Sequence, residues 1–302
     1  MKPTVTPLRY PGGKTWILPY VKEFLRYHHI NLGTIVEPFA GSASVSIGLL
    51  KYDLADYAYI CENDPLITSF WEAVFQRNDE LVDAVRHLQI SMETWYNFRK
   101  YLEGDAEKKY DTIELGLAFL FYNRVNFSGI IKAGPIGGKL QSSKYKMQCR
   151  FNTERIVKRI IDLGKLNDKV KIVSSDGIDF LKNYNGSGYE KETFFYIDPP
   201  YYKAGKLLYR NYFSELDHRR LANLLAEIEA PWLVSYDESI FIVNLYENSK
   251  QQYIFTDYQA GNLRRGIREL LLSNRKIPPA VPANIVETAK RERDKVVTLE
   301  HI

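Results

Sequence analysis

The 302-residue sequence has little cysteine and no long hydrophobic segment. Two cysteines, Cys61 and Cys149, are too few for a disulfide framework or a thiolate metal site. The longest apolar run, Leu115 to Tyr122, is far shorter than the roughly 18 residues of a membrane helix. Segment 1–7 has two prolines and lacks the apolar core of a signal peptide. We therefore expect no membrane partner, no bound metal and a reduced, cytoplasmic protein.

The net charge is also small, +4, but it is distributed unevenly along the chain. Between Asn123 and Arg159 there are nine basic residues and one acidic residue, so this segment carries +8 and the remainder carries −4. Many charge runs are only solvated surface. Here amide and aromatic side chains are interleaved with the charges, and such side chains contact base edges and phosphates. We predict a polyanion-binding surface with contacts from Arg124, Asn126, Lys139, Lys144, Lys146 and Arg150.

Short runs of β-branched and aromatic residues alternate with helical periodicity along most of the chain. The predicted strands cover 34–36, 57–61, 170–173, 194–197, 232–236, 252–255 and 270–273. Residues 65–122 have helical spacing, and 125–152 are rich in glycine, serine and lysine. This pattern predicts an α/β fold with a mostly parallel sheet, formed by residues 1–64 and 165–302. Residues 65–164 are predicted to form an inserted, mainly helical domain that carries a loop or hairpin.

The most informative segment follows the fourth predicted strand and contains Asp198, Pro199, Pro200 and Tyr201. Open α/β sheets bind ligands at the carboxyl ends of their strands. The prolines lack N–H groups, so the carbonyls nearby serve as acceptors. A carboxylate, carbonyls and an aromatic ring suit a planar amino group such as that of adenine. Acceptors on both N–H groups favour a more tetrahedral nitrogen, whose lone pair can attack a methyl group in line. We predict that these four residues are catalytic.

A turn of small residues after the first strand predicts the site of a methyl donor. Pro38, Phe39 and Gly41 lead from this strand into a helix, where the backbone can approach a nucleoside. Glu62 ends the second strand 21 residues after Gly41, a spacing suited to an acid that binds ribose hydroxyls. Ala43 stands where a second glycine is often found, and the GxGxxG pattern is absent.

Two further segments are candidates for contact with the donor. The sequence LRYPGGKT at 8–15 ends like a phosphate-binding P-loop but has Leu8 where that motif requires glycine. Gly12 and Gly13 let the backbone approach a ligand, and Lys14 can bind a carboxylate such as the donor's amino-acid tail. Asp176 has two interpretations, a cap of the next helix or an acceptor for the donor's adenine amino group.

Taken in order, five blocks of the sequence resemble the Dam-type DNA adenine methyltransferases, of the alpha group by motif order. These blocks are LRYPGGK at 8–14, VEPFAGSASV at 36–45, Glu62, SSD at 174–176 and DPPYY at 198–202, and segment 268–274 is similar to the family's last sheet region. The family usually has Asp where this chain has Glu62, and glycine where it has Ala43.

The resemblance implies a Rossmann-like fold of the S-adenosylmethionine-dependent methyltransferase type, with S-adenosylhomocysteine as the product. It also implies that the insert is a target-recognition domain for duplex DNA. The donor site predicted from the motifs and the resemblance together consists of Tyr10, Gly12, Gly13, Lys14, Pro38, Phe39, Gly41, Glu62, Asp176 and Asp198.

We therefore predict a site-specific DNA adenine methyltransferase that transfers a methyl group directly to the N6 nitrogen of a flipped-out adenine. The expected source is a bacterium or a phage, and the expected state is a monomer. Two kinds of alternative stay open. The first is the same fold with another target: cytosine's exocyclic nitrogen, RNA or a protein glutamine. The second is a non-catalytic DNA-binding regulatory module. A cognate restriction endonuclease is also left open as a partner, and the recognised bases are not predicted.

Overall fold

A seven-stranded sheet forms the centre of the molecule. The structure, a computed structural model, describes residues 5–9, 14–104, 106–184, 193–203, 205, 210–260 and 263–278, with only the backbone described for 255–260 and 263–268. The strands are β1 (Thr34–Glu37), β2 (Tyr57–Glu62), β3 (Val170–Ser174), β4 (Thr193–Ile197), β5 (Trp232–Asp237), β6 (Lys250–Ala260) and β7 (Leu263–Ser273). Their order is β3-β2-β1-β4-β5-β7-β6. Strands β1 to β5 are parallel, and β7 runs antiparallel to both β5 and β6.

Helices cover the sheet on both faces. Those defined in the described part of the chain are α1 (Leu18–Tyr27), α2 (Ser44–Lys51), α3 (Pro65–Gln76), α4 (Asn78–His87), α5 (Met92–Asn97), α6 (Thr112–Val125), α7 (Thr153–Gly164), α8 (Gly177–Tyr184), α9 (Glu215–Glu227) and α10 (Ile240–Leu245). Along β4, Phe194 and Tyr196 join the core that contains α1 and α3, whereas Phe195 and Ile197 join the core that contains α8 and α9. Successive strand residues point to opposite faces, so one apolar strand serves both cores.

The predicted fold class is confirmed by this mixed sheet and its mostly parallel strands. The strand positions also agree closely with those predicted, although β6 and β7 extend well beyond the expected 252–255 and 270–273. These two strands form a long antiparallel hairpin, and pairing between them continues from Lys250 and Ser273 to Ala260 and Leu263.

The helical segment between β2 and β3 packs onto the sheet. Buried side chains of α3, including Phe70 and Trp71, belong to the same core as Ile35 and Ile60 of the sheet. The Trp71 indole Nε1 donates a hydrogen bond of 2.9 Å to the Gly41 carbonyl, which ties α3 to the turn after β1. The domain boundaries at 64/65 and 164/165 stay a prediction. None of the helices in the described ranges is long and apolar enough to cross a membrane.

The carboxyl ends of the parallel strands meet at one edge of the sheet. Strand β1 lies between β2 and β4. Strands β2 and β3 extend the sheet on one side of β1, and β4 and β5 extend it on the other side, so the strand order reverses between β1 and β4. A crevice forms outside the strand ends at such a switch point. Glu37, Glu62 and Asp237 end β1, β2 and β5, and Asp198 follows the last residue of β4.

Candidate active site

A cleft of about 690 Å³ opens at this edge of the sheet. Eight of the residues predicted to bind the donor or the target line it: Lys14, Pro38, Phe39, Gly41, Glu62, Asp176, Asp198 and Pro200. Pro199 is buried behind them. Tyr10, Gly12 and Gly13 lie outside the described residues, so their predicted contacts stay predictions.

Asp198 projects from the end of β4 into this cleft. Its Oδ1 atom accepts a hydrogen bond of 2.9 Å from the Ser235 hydroxyl of β5, and the Lys14 ammonium lies 3.3 Å from the same oxygen. Burial raises the pKa of Asp198 to about 6, an effect that Lys14 opposes and the Glu269 carboxylate reinforces. Among the described residues, no hydrogen-bond partner contacts Oδ2. This oxygen is therefore available to an N–H group of a ligand.

The backbone after Asp198 is fixed by a second carboxylate. The N–H groups of Tyr202 and Lys203 donate to the two oxygens of Asp237, at 3.0 and 2.9 Å. Asp237 ends β5, the strand that pairs with β4. The turn is thus held from the neighbouring strand, and the two prolines restrict its remaining torsions. Sequence reasoning missed Asp237, although its place at a strand end is the signal that could have found it.

The Tyr201 hydroxyl and Lys14 share a buried partner, Glu269 of β7. Lys14 Nζ donates to the Tyr201 hydroxyl at 2.6 Å and to Glu269 Oε2 at 2.6 Å, and the Tyr201 hydroxyl donates to Glu269 Oε1 at 2.8 Å. Burial alone would lower the pKa of Lys14, but Asp198 and Glu269 outweigh it and hold that pKa above the usual value. The ammonium thus donates two hydrogen bonds within the protein and forms an ion pair with Asp198. Lys14 lines the cleft, and its predicted bond to the donor's carboxylate stays a prediction.

Gly41 and Glu62, which were both predicted to bind the donor, are in direct contact. The Gly41 N–H donates to Glu62 Oε2 at 2.9 Å, and the N–H groups of Asn63 and Asp64 donate to Oε1 at 3.0 Å each. Burial raises the pKa of Glu62 to about 7. Carboxylate oxygens have two lone pairs each, so Oε1 is fully used and Oε2 can still accept one hydrogen bond from a ligand in the cleft. Gly41 has φ of +46°, a left-handed conformation that suits glycine.

Asp176 caps the helix that follows it. Its Oδ1 accepts from the N–H groups of Ile178 and Asp179 at 2.9 and 3.2 Å, the arrangement of a helix N-cap. The residue also lines the cleft, so a contact with the donor's adenine remains a proposal. A Cβ on the adjacent Gly177 would lie 2.4 Å from the Phe39 ring and from the Pro38 carbonyl. Only glycine lets α8 begin this close to the turn after β1.

Several charged and aromatic residues line the cleft without having been predicted. Glu37 is buried at the end of β1, where its Oε2 accepts from the Ser46 N–H at 2.9 Å, and burial raises its pKa to about 7. On the outer side, Arg210 forms an ion pair of 3.2 Å with Asp64. The Phe213 ring contacts the Phe39 ring edge-to-face at 5.4 Å. Glu37 lies in the block at 36–45 and ends β1, and Asp64 closely follows β2, whereas no motif marks Arg210 or Phe213.

The basic segment has a different structure. Lys139, Lys144, Lys146 and Arg150 are exposed. Arg124 is half-buried, and its guanidinium donates to the carbonyls of Pro7 and Arg150. Burial and the nearby arginines lower its pKa to about 9.

Asn126 is fully buried in this segment. Its side chain accepts from the Trp95 indole at 2.9 Å and donates to the carbonyls of Ile130 and Ile131. The expected DNA contact by Asn126 is therefore not supported, because the amide is used to fold the loop. Phe127 and Tyr145 expose their rings on the same segment.

Comparison with known proteins shows the family of this chain. Residues 10–260 match the family described as D12 class N6 adenine-specific DNA methyltransferase. The chain belongs to this family. It is therefore a DNA adenine methyltransferase, and the predicted resemblance and enzyme class are confirmed. The alternatives with another target or without catalysis are not favoured.

Relatives of this methyltransferase extend over most of its length. The DNA adenine methylase of Escherichia coli K12 is 25% identical over 291 residues, which cover 90% of this chain and 95% of that protein. The type II methyltransferase M.CviBI of Paramecium bursaria Chlorella virus NC1A is 23% identical over 266 residues, 86% of this chain and 90% of that protein. Among solved structures, the rRNA methyltransferase AviRa from Streptomyces viridochromogenes has 14% identity and a TM-score of 0.36, and the match covers 87% of this chain and 85% of that one.

Proposed function

We propose that Asp198 binds the amino group of an adenine flipped out of duplex DNA and that the methyl group is transferred to its N6 nitrogen directly. The observation that carries this proposal is the position of the Asp198 carboxylate, which lines the cleft and has Oδ1 bound to Ser235. The carboxylate accepts one N–H of the base, and a carbonyl of the proline turn accepts the other. Both bonds favour a nitrogen whose lone pair is free to react.

The residues of the inner cleft fit S-adenosylmethionine. Glu62 offers Oε2 to a ribose hydroxyl, Phe39 offers a flat apolar face, and Asp176 offers an acceptor for the adenine amino group. When bound, the donor supplies an electrophilic methyl group on a sulfonium, and S-adenosylhomocysteine remains after transfer. Gly177 keeps the wall beside Phe39 free of a side chain.

The residues of the protein also argue against a covalent enzyme intermediate. Cys61 is buried on β2, and its thiol donates to the Ser175 carbonyl at 3.4 Å. Burial raises the pKa of this thiol well above its usual range, so it is a poor nucleophile. Cys149 lies on the exposed basic segment. Neither cysteine lines the cleft.

The target base must leave the duplex to reach Asp198, which costs a few kcal/mol of unpairing and unstacking. Stacking on the Tyr201 ring returns roughly 1 to 3 kcal/mol. Phosphate contacts from Lys139, Lys144, Lys146 and Arg150 supply attraction to the duplex that does not depend on sequence. The exposed rings of Phe127 and Tyr145 lie among these charges. We propose residues 65–164 as the target-recognition domain. A monomeric state, a cytoplasmic location, a bacterial or phage source and a cognate restriction endonuclease stay predictions.

Replacing the proposed acceptor tests this function. We expect Asp198→Ala to abolish transfer from radiolabelled S-adenosylmethionine to duplex DNA, because the adenine amino group loses its acceptor. Binding of S-adenosylhomocysteine, measured by calorimetry, should change little. Asp168→Ala, which removes an exposed acid far from motifs, is the matched control. Equal loss of donor binding and turnover in Asp198→Ala would show that Asp198 serves the donor and not the base.

A further inference from the structure

Glu269 is a buried acid that no step of the proposed chemistry uses. It lies on β7 beside the apolar residues Leu270 to Leu272, and only 4% of its surface is exposed. Removing an ionised carboxylate from water costs several kcal/mol unless other groups compensate. The compensating groups here are Lys14, which lines the cleft, and Tyr201, which follows the proline turn after Asp198. The location of this charge therefore points to a role there.

The three side chains form a closed ring of hydrogen bonds. Each Glu269 oxygen accepts one bond, Oε2 from the Lys14 ammonium and Oε1 from the Tyr201 hydroxyl, and the ammonium also donates to that hydroxyl. The Tyr201 hydroxyl is thus fixed by one donor and one acceptor. Because these bonds hold the far end of the phenol, they restrict rotation of the ring. A ring held in one orientation is a ready surface for a flipped base.

The same ring controls how strongly Lys14 binds Asp198. The ammonium lies 2.6 Å from Glu269 and 3.3 Å from Asp198. The shorter of these two ionic contacts is thus with Glu269, which does not contact the target adenine in the proposed function. If Glu269 were neutral, Lys14 would move toward Asp198 and would reduce the power of that carboxylate to accept an amino proton.

We propose that Glu269 is a positioning residue for methyl transfer: it holds Tyr201 in place for stacking and keeps Lys14 from closing on Asp198. This inference rests on the proposed function, in which Asp198 and Tyr201 bind the adenine. Glu269 reaches the reacting groups only through Lys14 and Tyr201.

The proposal predicts a change in pH dependence. Among the described residues, the charged and titratable groups around Asp198 include Lys14 from the N-terminal segment, Glu37 from β1, Tyr196 from β4, Tyr236 from β5 and Glu269 from β7. The Glu269 charge raises the pKa of Asp198, and Lys14 lowers it. Glu269→Gln removes the first effect and strengthens the second. The acidic limb of the rate profile should therefore move to lower pH, which a merely structural role for Glu269 would not produce.

The experiment measures single-turnover methylation of a duplex by Glu269→Gln across pH. We expect the rate at neutral pH to fall about 100-fold, as for a misplaced reacting group, with S-adenosylhomocysteine affinity within about threefold of the parent. The acid limb should shift downward. Glu247→Gln, the same change at an exposed residue before β6, is the control. We expect the rate of the double variant, Glu269→Gln with Tyr201→Phe, to fall by less than the product of the two single losses. Both substitutions break the same ring of hydrogen bonds.

An unchanged rate, or a lower rate with an unmoved acid limb and additive effects with Tyr201→Phe, would overturn the proposal. If Glu269→Gln does not fold, Glu269→Asp replaces it, because this shorter acid cannot reach both partners. Coupling between Glu269→Asp and Tyr201→Phe then supports the proposal, and additivity refutes it. Asp198→Ala in the same assay separates failure of the proposed function from failure of the role proposed for Glu269. Methylation by that variant would refute the proposed function, whereas its loss with a normal Glu269→Gln would refute only the role of Glu269.

Discussion

The cleft at the strand ends and the basic segment of the insert handle charge in opposite ways. In the cleft, Asp198, Lys14 and Glu269 are shielded from water and bound to one another, and the pKa values of Asp198 and Lys14 are shifted. On the basic segment, Lys139 and Lys144 extend into solvent. Chemistry on an amino group requires acceptors held in place before the base arrives. Attraction to phosphates requires only positive charge near the backbone, so mobile lysines suffice.

The largest effect that would test this contrast comes from the exposed charges. We expect replacement of Lys139, Lys144 and Lys146 by alanine to weaken duplex binding about 100- to 1000-fold at 0.1 M salt, because three phosphate contacts are lost. The slope of log affinity against log salt should fall by about 2.7, and S-adenosylhomocysteine binding should not change. Fluorescence anisotropy at several salt concentrations measures both. An unchanged slope would remove these lysines from the interface.

A buried amide of the same segment should act on stability instead. Asn126→Ala leaves the buried Trp95 N–H without its acceptor, so we expect a loss of about 2 to 3 kcal/mol in the free energy of unfolding. Lys144→Ala should change that free energy by less than about 0.5 kcal/mol. Urea unfolding of both variants measures the difference. Equal stabilities would mean that Asn126 does not hold the loop.

The third prediction concerns acid sensitivity of the cleft. Because burial raises the pKa of Asp198 to about 6, protonation below that pH removes the acceptor, and we expect the single-turnover rate to fall about tenfold per pH unit below 6. The free energy of unfolding should change with pH in the opposite direction to the rate. Because the pKa of Asp198 is raised in the folded state, its contribution to stability is fully present at low pH and is lost as pH rises through about 6. Duplex binding and unfolding, measured at the same pH values, show whether the loss of rate comes from Asp198, from weaker binding or from unfolding. A flat rate between pH 5 and 7 would contradict it.

The smallest expected effect is at the turn beneath the donor site. Ala43 has φ of +46°, which is unfavourable for a residue with a Cβ. Ala43→Gly relieves this strain but gives the unfolded chain more freedom, so the free energy of unfolding should change by less than about 1 kcal/mol. Thermal unfolding measures the result. A loss of several kcal/mol would show that the buried Ala43 methyl group is required for packing.

These comparisons also show what the sequence can reveal. Apolar strands followed by Asp198 and Glu62 could be predicted, because a strand end and a spacing of 21 residues are local signals. The role of Glu269 could not be assigned, because its partner Lys14 is 255 positions away along the chain. The only local signal is that this acid precedes three leucines. Asn126 was misjudged for the opposite reason. Its basic neighbours suggest a surface, whereas its burial depends on Trp95, which lies on α5.

Strand β7 inserts between β5 and β6 and brings its acid to meet a lysine from the other end of the chain. During synthesis, therefore, a ribosome must have released at least the first 273 residues before the sheet can be completed. A polypeptide that ends before residue 269 lacks the acid that binds Lys14 and Tyr201. The order of the strands thus places the completion of this contact near the end of translation.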